Sequence, residues 1–178
     1  MPAASSSSSS VQKHWFVART RYFRKEIQMR DVLSQLDVEN FVPTVKSRRS
    51  RGKGMTEKAA APNLVFVRTD KASACALITE RHLPMEWMQD CATRSMLVVP
   101  DKQMDDFRRV FAIASVEEGG LLTENFSPGD PVQVTEGPLR GVEGNIVEDA
   151  GKIYVVVGLA GSVFARAMVP KAWLKIMR

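Results

Sequence analysis

Two cysteines and two histidines are all that the 178 residues offer to metal, thiol or imidazole chemistry. Cys75 and Cys91 form no CxxC pair and have no ligand spacing around them, so they read as buried or half-buried reduced thiols. His14 and His82 stand alone, and a nucleophilic Ser, Cys or Thr needs a base within reach, which excludes a recognisable triad. A GxxxxGK[ST] loop is missing, and Gly52-Lys53-Gly54 lacks the strand before it and the helix after it that phosphate cradling requires. Asp105 and Asp106 read as charges near a helix N-terminus rather than as an acid/base dyad. The expectation is a protein that is not an enzyme, with no catalytic residue, no metal and no cofactor. Long hydrophobic runs are missing too: no window holds the roughly 18 apolar residues of a membrane helix. The start of the chain lacks the charged and apolar regions of a secretion signal, so a cytoplasmic protein without membrane contact is expected.

A hydrophobic fraction of 44% suffices for packed cores, and a net charge of +5 is unevenly placed. Residues 1–114 hold 19 Lys/Arg against 12 Asp/Glu, a net of +7, while residues 115–178 hold 6 against 8, a net of −2. The first part suits a phosphate backbone or an acidic protein surface, and the second does not. Residues 1–12, with six consecutive serines, read as a disordered tail because they cannot bury enough apolar area to offset chain entropy. Residues 15–20 form a β-prone run. Met29, Val32, Leu33 and Leu36 then match the i, i+3, i+4, i+7 pattern of a helix over 25–36. Residues 41–45 and 64–67 read as strands joined by a long basic loop, with Pro43 pushing the first towards a sheet edge. Asp70 can cap a short helix reaching Ile78, residues 97–99 form another strand, and residues 101–115 form a helix marked by Phe107, Val110, Phe111 and Ala114. Residues 116–127 show no periodicity and read as a linker.

Beyond it, Val132 and Val134 alternate and Gly137, Gly141 and Gly144 permit tight turns, so residues 128–178 read as a small barrel of short strands. Ile153, Val155, Val156 and Val157 are mostly β-branched and favour strands over helices. Two basic groups stand out in the first part. Lys46, Arg48, Arg49, Arg51, Lys53 and Lys58 lie in the presumed loop; they are either a solvated surface or a phosphate-positioning one. Arg19, Arg21, Arg24 and Lys25 enclose Tyr22 and Phe23, which either anchor the helix start or supply stacking surfaces for unpaired bases.

Three stretches give the chain a family resemblance: His14-Trp15-Phe16-Val17, Asn40-Phe41-Val42-Pro43, and Pro62-Asn63-Leu64-Val65-Phe66-Val67. They resemble the NGN domain of NusG-type transcription elongation factors, and the segment around Gly137, Arg140, Gly141 and Gly144 resembles the KOW motif. The stretches beginning at Trp87 and Val98 are similar to UpxY-type antiterminators of polysaccharide operons. The resemblance implies an α/β (α+β) NGN-like sandwich over 13–115, with a mainly antiparallel sheet and flanking helices. It also implies a linker over 116–127 and an SH3-like KOW barrel over 128–178. It further implies docking on the clamp helices of RNA polymerase through a pocket carried over onto Pro62, Asn63, Leu64 and Phe66. Ala61 stands where relatives often have Phe and Leu64 where they have Tyr, which makes that groove smaller and more aliphatic. Non-template DNA of the transcription bubble is the implied nucleic-acid partner, and a ribosomal protein or a termination factor is the implied partner of the KOW module. Phe66 is also readable as plain sheet core. The rival function is a ribosome-associated, KOW-containing RNA-binding protein.

Overall fold

The apolar run near the start of the chain becomes β1 (His14–Thr20), the central strand of a sheet covered on both faces. The computed structural model describes residues 11–48, 54–114, 121–122, 129–161 and 163–177. After β1 come α1 (Glu26–Gln35), β2 (Glu39–Phe41), β3 (Thr44–Arg48), β4 (Met55–Ala59) and β5 (Leu64–Thr69). These are followed by α2 (Lys71–Thr79), β6 (Met85–Trp87), β7 (Val98–Val99) and α3 (Asp101–Ala114). β1 pairs with β5 on one side and with β6 and β7 on the other, β2 borders β5, and every pairing is antiparallel. Val17 faces Phe66 across the ladder and Ala18 faces Val65.

Successive strand residues point to opposite faces. Trp15, Val17, Leu64 and Phe66 therefore join Met104, Phe107, Val110 and Phe111 of α3 in one apolar cluster. Ala18, Val65 and Val67 join Met29 and Leu33 of α1 and Leu77 of α2 in another. A strand buried on both faces shows no polar alternation, which is why β1 and β5 read as continuous apolar runs. Asp70 caps α2 as its sequence position suggested, its Oδ1 accepting the Ser73 N–H at 2.9 Å.

Several local expectations are corrected. Residues 41–45 are not one strand: β2 ends at Phe41, and β3 leaves to pair with β4 in a separate two-stranded sheet. Proline has no N–H to give a ladder, and Pro43 sits at the break, its carbonyl accepting the Ala60 N–H at 2.7 Å. The presumed basic loop is thus a β-hairpin, with Lys46 on β3 and Lys58 on β4. β6 falls where no regular element was expected; three residues are too few for a period, and Trp87 holds the strand by donating its indole N–H to the Ala74 carbonyl at 3.1 Å. Cys75 and Cys91 are exposed, not buried or half-buried.

The C-terminal part is a six-stranded antiparallel sheet with no α-helix among its described residues. It contains β8 (Leu121–Leu122), β9 (Pro131–Val134), β10 (Glu143–Asp149), β11 (Lys152–Leu159), β12 (Val163–Met168) and β13 (Leu174–Ile176), in the order β13-β9-β10-β11-β12-β8. The β-branched run lies on β11, as its conformational preference requires. Most of the presumed linker, and the serine tract of residues 1–10, lie outside the described residues. Leu121 and Leu122, however, pair with Ala165 and Phe164 and belong to the sheet. Antiparallel sheets with three α-helices agree with the mixed α/β class read from the sequence. Among the described residues no helix is long and apolar enough to cross a membrane.

Candidate functional site

The turn between β1 and α1 is built by anchoring its backbone and leaving its side chains outside. Thr20 is buried; its N–H donates to the Asn63 carbonyl at 3.0 Å and its hydroxyl to the Tyr22 carbonyl at 3.1 Å. The Arg21 N–H donates to the Pro84 carbonyl at 2.9 Å, and its guanidinium meets Glu86 at 3.2 Å. Arg24, at φ 59°, turns the chain into α1 and lays its guanidinium 5.0 Å from the centre of the Phe23 ring. Tyr22 and Phe23 remain 62% and 67% exposed, so they do not anchor the helix by burial. Arg19 and Lys25 are exposed beside them.

Glu26 draws a second candidate region to this turn. Its side chain is only 2% exposed, and its carboxylate accepts the Asn63 N–H. Asn63 has φ 62°, a left-handed conformation that Asn tolerates better than most residues. Pro62 and Asn63, carried over as part of a protein-docking pocket, therefore border the basic and aromatic turn. A groove of about 370 Å³ runs between Phe23, Ile27 and Pro62 on one side and Thr56, Glu57 and Lys58 of the hairpin on the other. Leu64 and Phe66 lie elsewhere: they are 5% and 0% exposed, beneath α3. The aromatic layer there is dense, with Phe41 6.3 Å from Phe66, 6.3 Å from Phe107 and 6.2 Å from Phe111. Arg108 closes it by stacking 4.8 Å from the centres of both the Trp15 and Phe41 rings.

The hairpin wall is fastened to α1 by one ion pair. Glu57 accepts from Arg30 at 2.6 Å and from the Thr44 hydroxyl at 2.7 Å. The Arg30 hydrogen bond, then the Thr44 one, holds its carboxyl below the usual carboxylate range. A carboxylate depressed in the folded state adds stability above its unfolded pKa, and that contribution is lost as pH falls through the folded value. Amide chemical shifts of β3 and β4 should therefore move together as pH falls below the ordinary glutamate range, while those of β1 stay put. Glu57→Gln should abolish the step, and a step that persists in it would assign the titration elsewhere.

Other candidates separate. Lys46 is exposed on β3; Arg48 has only its backbone described, and Arg49, Arg51 and Lys53 lie outside the described residues. Gly137, Arg140, Gly141 and Gly144 form the turn into β10 and its second residue. Gly137 has φ 75°, and a Cβ there would meet the Trp173 ring at 2.4 Å; a Cβ on Gly144 would meet the Val156 carbonyl oxygen at 2.5 Å. These two glycines serve packing. No group of three or more His, Cys, Asp or Glu among the described residues is placed to hold a metal. Sequence reading missed Glu26, whose only signal is an acid in the first turn of a helix, and the groove, which forms between segments far apart in the chain.

An antiparallel sheet layered between helices, followed by a six-stranded antiparallel sheet, defines a mixed α/β protein. The NusG family model, described as transcription termination factor nusG, matches residues 13–108. The chain belongs to the NusG family of transcription factors. No curated protein sequence matches. Among solved structures, a study of domain interaction in Thermotoga maritima NusG is similar at 17% identity and a TM-score of 0.46, over 94% of this chain and 98% of that one. The MjSpt4:Spt5 complex is similar at 17% identity and a TM-score of 0.24, over 91% of this chain and 95% of that one.

Proposed function

We propose that the protein is a specialised antitermination factor that rides on RNA polymerase and promotes processive transcription of long operons, those for polysaccharide biosynthesis being the expected targets. The N-terminal module, over 13–115, docks on the clamp helices, and its β1–α1 turn follows the non-template strand of the bubble. A KOW module over 128–178 takes a ribosomal protein or a termination factor. The protein acts in the cytoplasm, without a cofactor and without chemistry of its own. Binding the elongating conformation of polymerase more tightly than the paused one shifts that equilibrium by the difference in affinity.

The observation that carries this reading is the pair of exposed rings, Tyr22 and Phe23, inside a cluster of four cations. Cations track phosphates, and rings accept unpaired bases. Because Leu64 and Phe66 are buried, the polymerase contact falls on Pro62 and Asn63, and the two buried side chains shape the layer beneath. Run-off transcription of a long operon template, with and without the protein, tests the function; unchanged full-length product would sink it. Co-purification with ribosomal particles instead of polymerase would favour the rival RNA-binding role.

The electrostatic part has its own test. Affinity for an elongation complex should fall with salt, and Arg21→Ala with Arg24→Ala should flatten the log–log slope by about 0.7 for each phosphate that is no longer neutralised. An unchanged slope would reduce this cluster to ordinary surface.

A further inference from the structure

Residues 21–25 carry the exposed rings of the β1–α1 turn, and the residues at both ends of this segment bind one residue of another part of the chain. At the end of β1 the Thr20 N–H donates to the Asn63 carbonyl at 3.0 Å. At the start of α1 the Glu26 carboxylate accepts the Asn63 N–H. Asn63 thus gives both of its main-chain groups to this turn, while in a left-handed conformation at φ 62°. Lys25, the residue before α1, makes no side-chain capping bond, and Glu26 ties the first turn of the helix to the 62–63 segment. Burying a carboxylate is costly, and an exposed one would serve the positive end of the helix as well. What burial adds is a fixed distance between the helix and that segment. The turn is held again at its middle, where the Arg21 N–H donates to the Pro84 carbonyl at 2.9 Å and the Thr20 hydroxyl to the Tyr22 carbonyl at 3.1 Å. Its backbone is anchored, and the Tyr22 and Phe23 rings stay outside.

We propose that Glu26 is a positioning residue for single-stranded nucleic acid: it touches no ligand and sets the orientation in which Tyr22 and Phe23 meet the bases. This rests on the nucleic-acid role proposed above for the turn. Each side chain or loop that is ordered on binding subtracts from affinity, and a backbone fixed beforehand removes part of that cost. Without the Asn63 contact, the first turn of α1 and the rings that precede it lose an anchor. The sign of the effect separates this role from a purely electrostatic one. Glu26 is an acid beside Arg19, Arg21, Arg24 and Lys25, so charge alone predicts that neutralising it strengthens the binding of an anionic strand. Positioning predicts the reverse.

Affinity of the full chain for a labelled single-stranded oligothymidylate, read by fluorescence anisotropy over a salt series, provides the test. Glu26→Ala should weaken binding by about fivefold or more at every salt concentration, with the log–log slope unchanged because no phosphate contact is removed. Glu26→Gln keeps a carbonyl of the same reach without the charge and should recover most of the affinity. In the Tyr22→Ala, Phe23→Ala background, Glu26→Ala should cost nothing further, since a positioning residue acts only through what it positions. If Glu26→Ala fails to fold, Glu26→Asp, one methylene shorter, carries the same expectation. Binding that is unchanged or stronger in folded Glu26→Ala would overturn the positioning role, and so would an equal loss with and without the rings. Wild-type affinity in the variant lacking both rings would overturn the nucleic-acid role of the turn itself. Weak binding in that variant, with normal binding in Glu26→Ala, would overturn the positioning role alone.

Discussion

Replacing Phe66 by alanine is expected to destabilise the protein by about 3–5 kcal/mol. The ring is fully buried, sits opposite Val17 on β1, and contacts Phe41 in the layer that α3 closes. Removing it deletes the transfer energy of the ring and leaves a cavity between a sheet and a helix that cannot collapse without breaking other aromatic contacts. Domains are typically stable by about 5–15 kcal/mol, so the variant should unfold at much lower denaturant. Phe41, only partly buried at the rim of the same layer, should cost less when truncated. Equilibrium urea unfolding of the two variants settles the order. A loss below about 1 kcal/mol at Phe66 would mean that the ring is not packed between β5 and α3.

The double variant Tyr22→Ala, Phe23→Ala should behave in the opposite way. Both rings are mostly exposed, so stability should scarcely move, while affinity for single-stranded DNA falls by about 1–3 kcal/mol for each base that loses its stacking partner. That is about fivefold to more than a hundredfold per base. Phe23 should contribute more than Tyr22, because Arg24 already stacks on it and places a cation beside any base that joins. Fluorescence anisotropy with a labelled oligonucleotide, together with a thermal melt, separates binding from folding. Unchanged affinity in a folded variant would remove nucleic acid from the role of this turn.

These two outcomes also mark where the sequence was readable. Phe66 lies in a dense apolar run; such runs located β1 and β5, helical periodicity located α1 and α3, and the Asp70 cap located α2. The hairpin was read as a loop for the converse reason: Met55–Ala59 is almost wholly exposed, so no burial pattern marks it as strand. β6 and β8 are too short for any period. Asp106 read only as a charge near a helix N-terminus, because spacing alone cannot distinguish water from a second layer of protein. Asp105 and Asp106, adjacent and chemically identical, show the limit well: one is exposed and the other is buried against the backbone of β10. The basic turn was legible as composition, but its proximity to Pro62 depends on Glu26 reaching Asn63 across 37 positions.

The hairpin of β3 and β4 shares no ladder with either larger sheet and is tied down near its base by the Pro43 carbonyl and by Arg30. Residue pairs added to or taken from the β3–β4 ladder would therefore leave the pairings of β1 and β5 unchanged. Lineages could lengthen, shorten or recharge this arm, and so alter how far it extends from the body, while every residue of the two apolar clusters stays as it is.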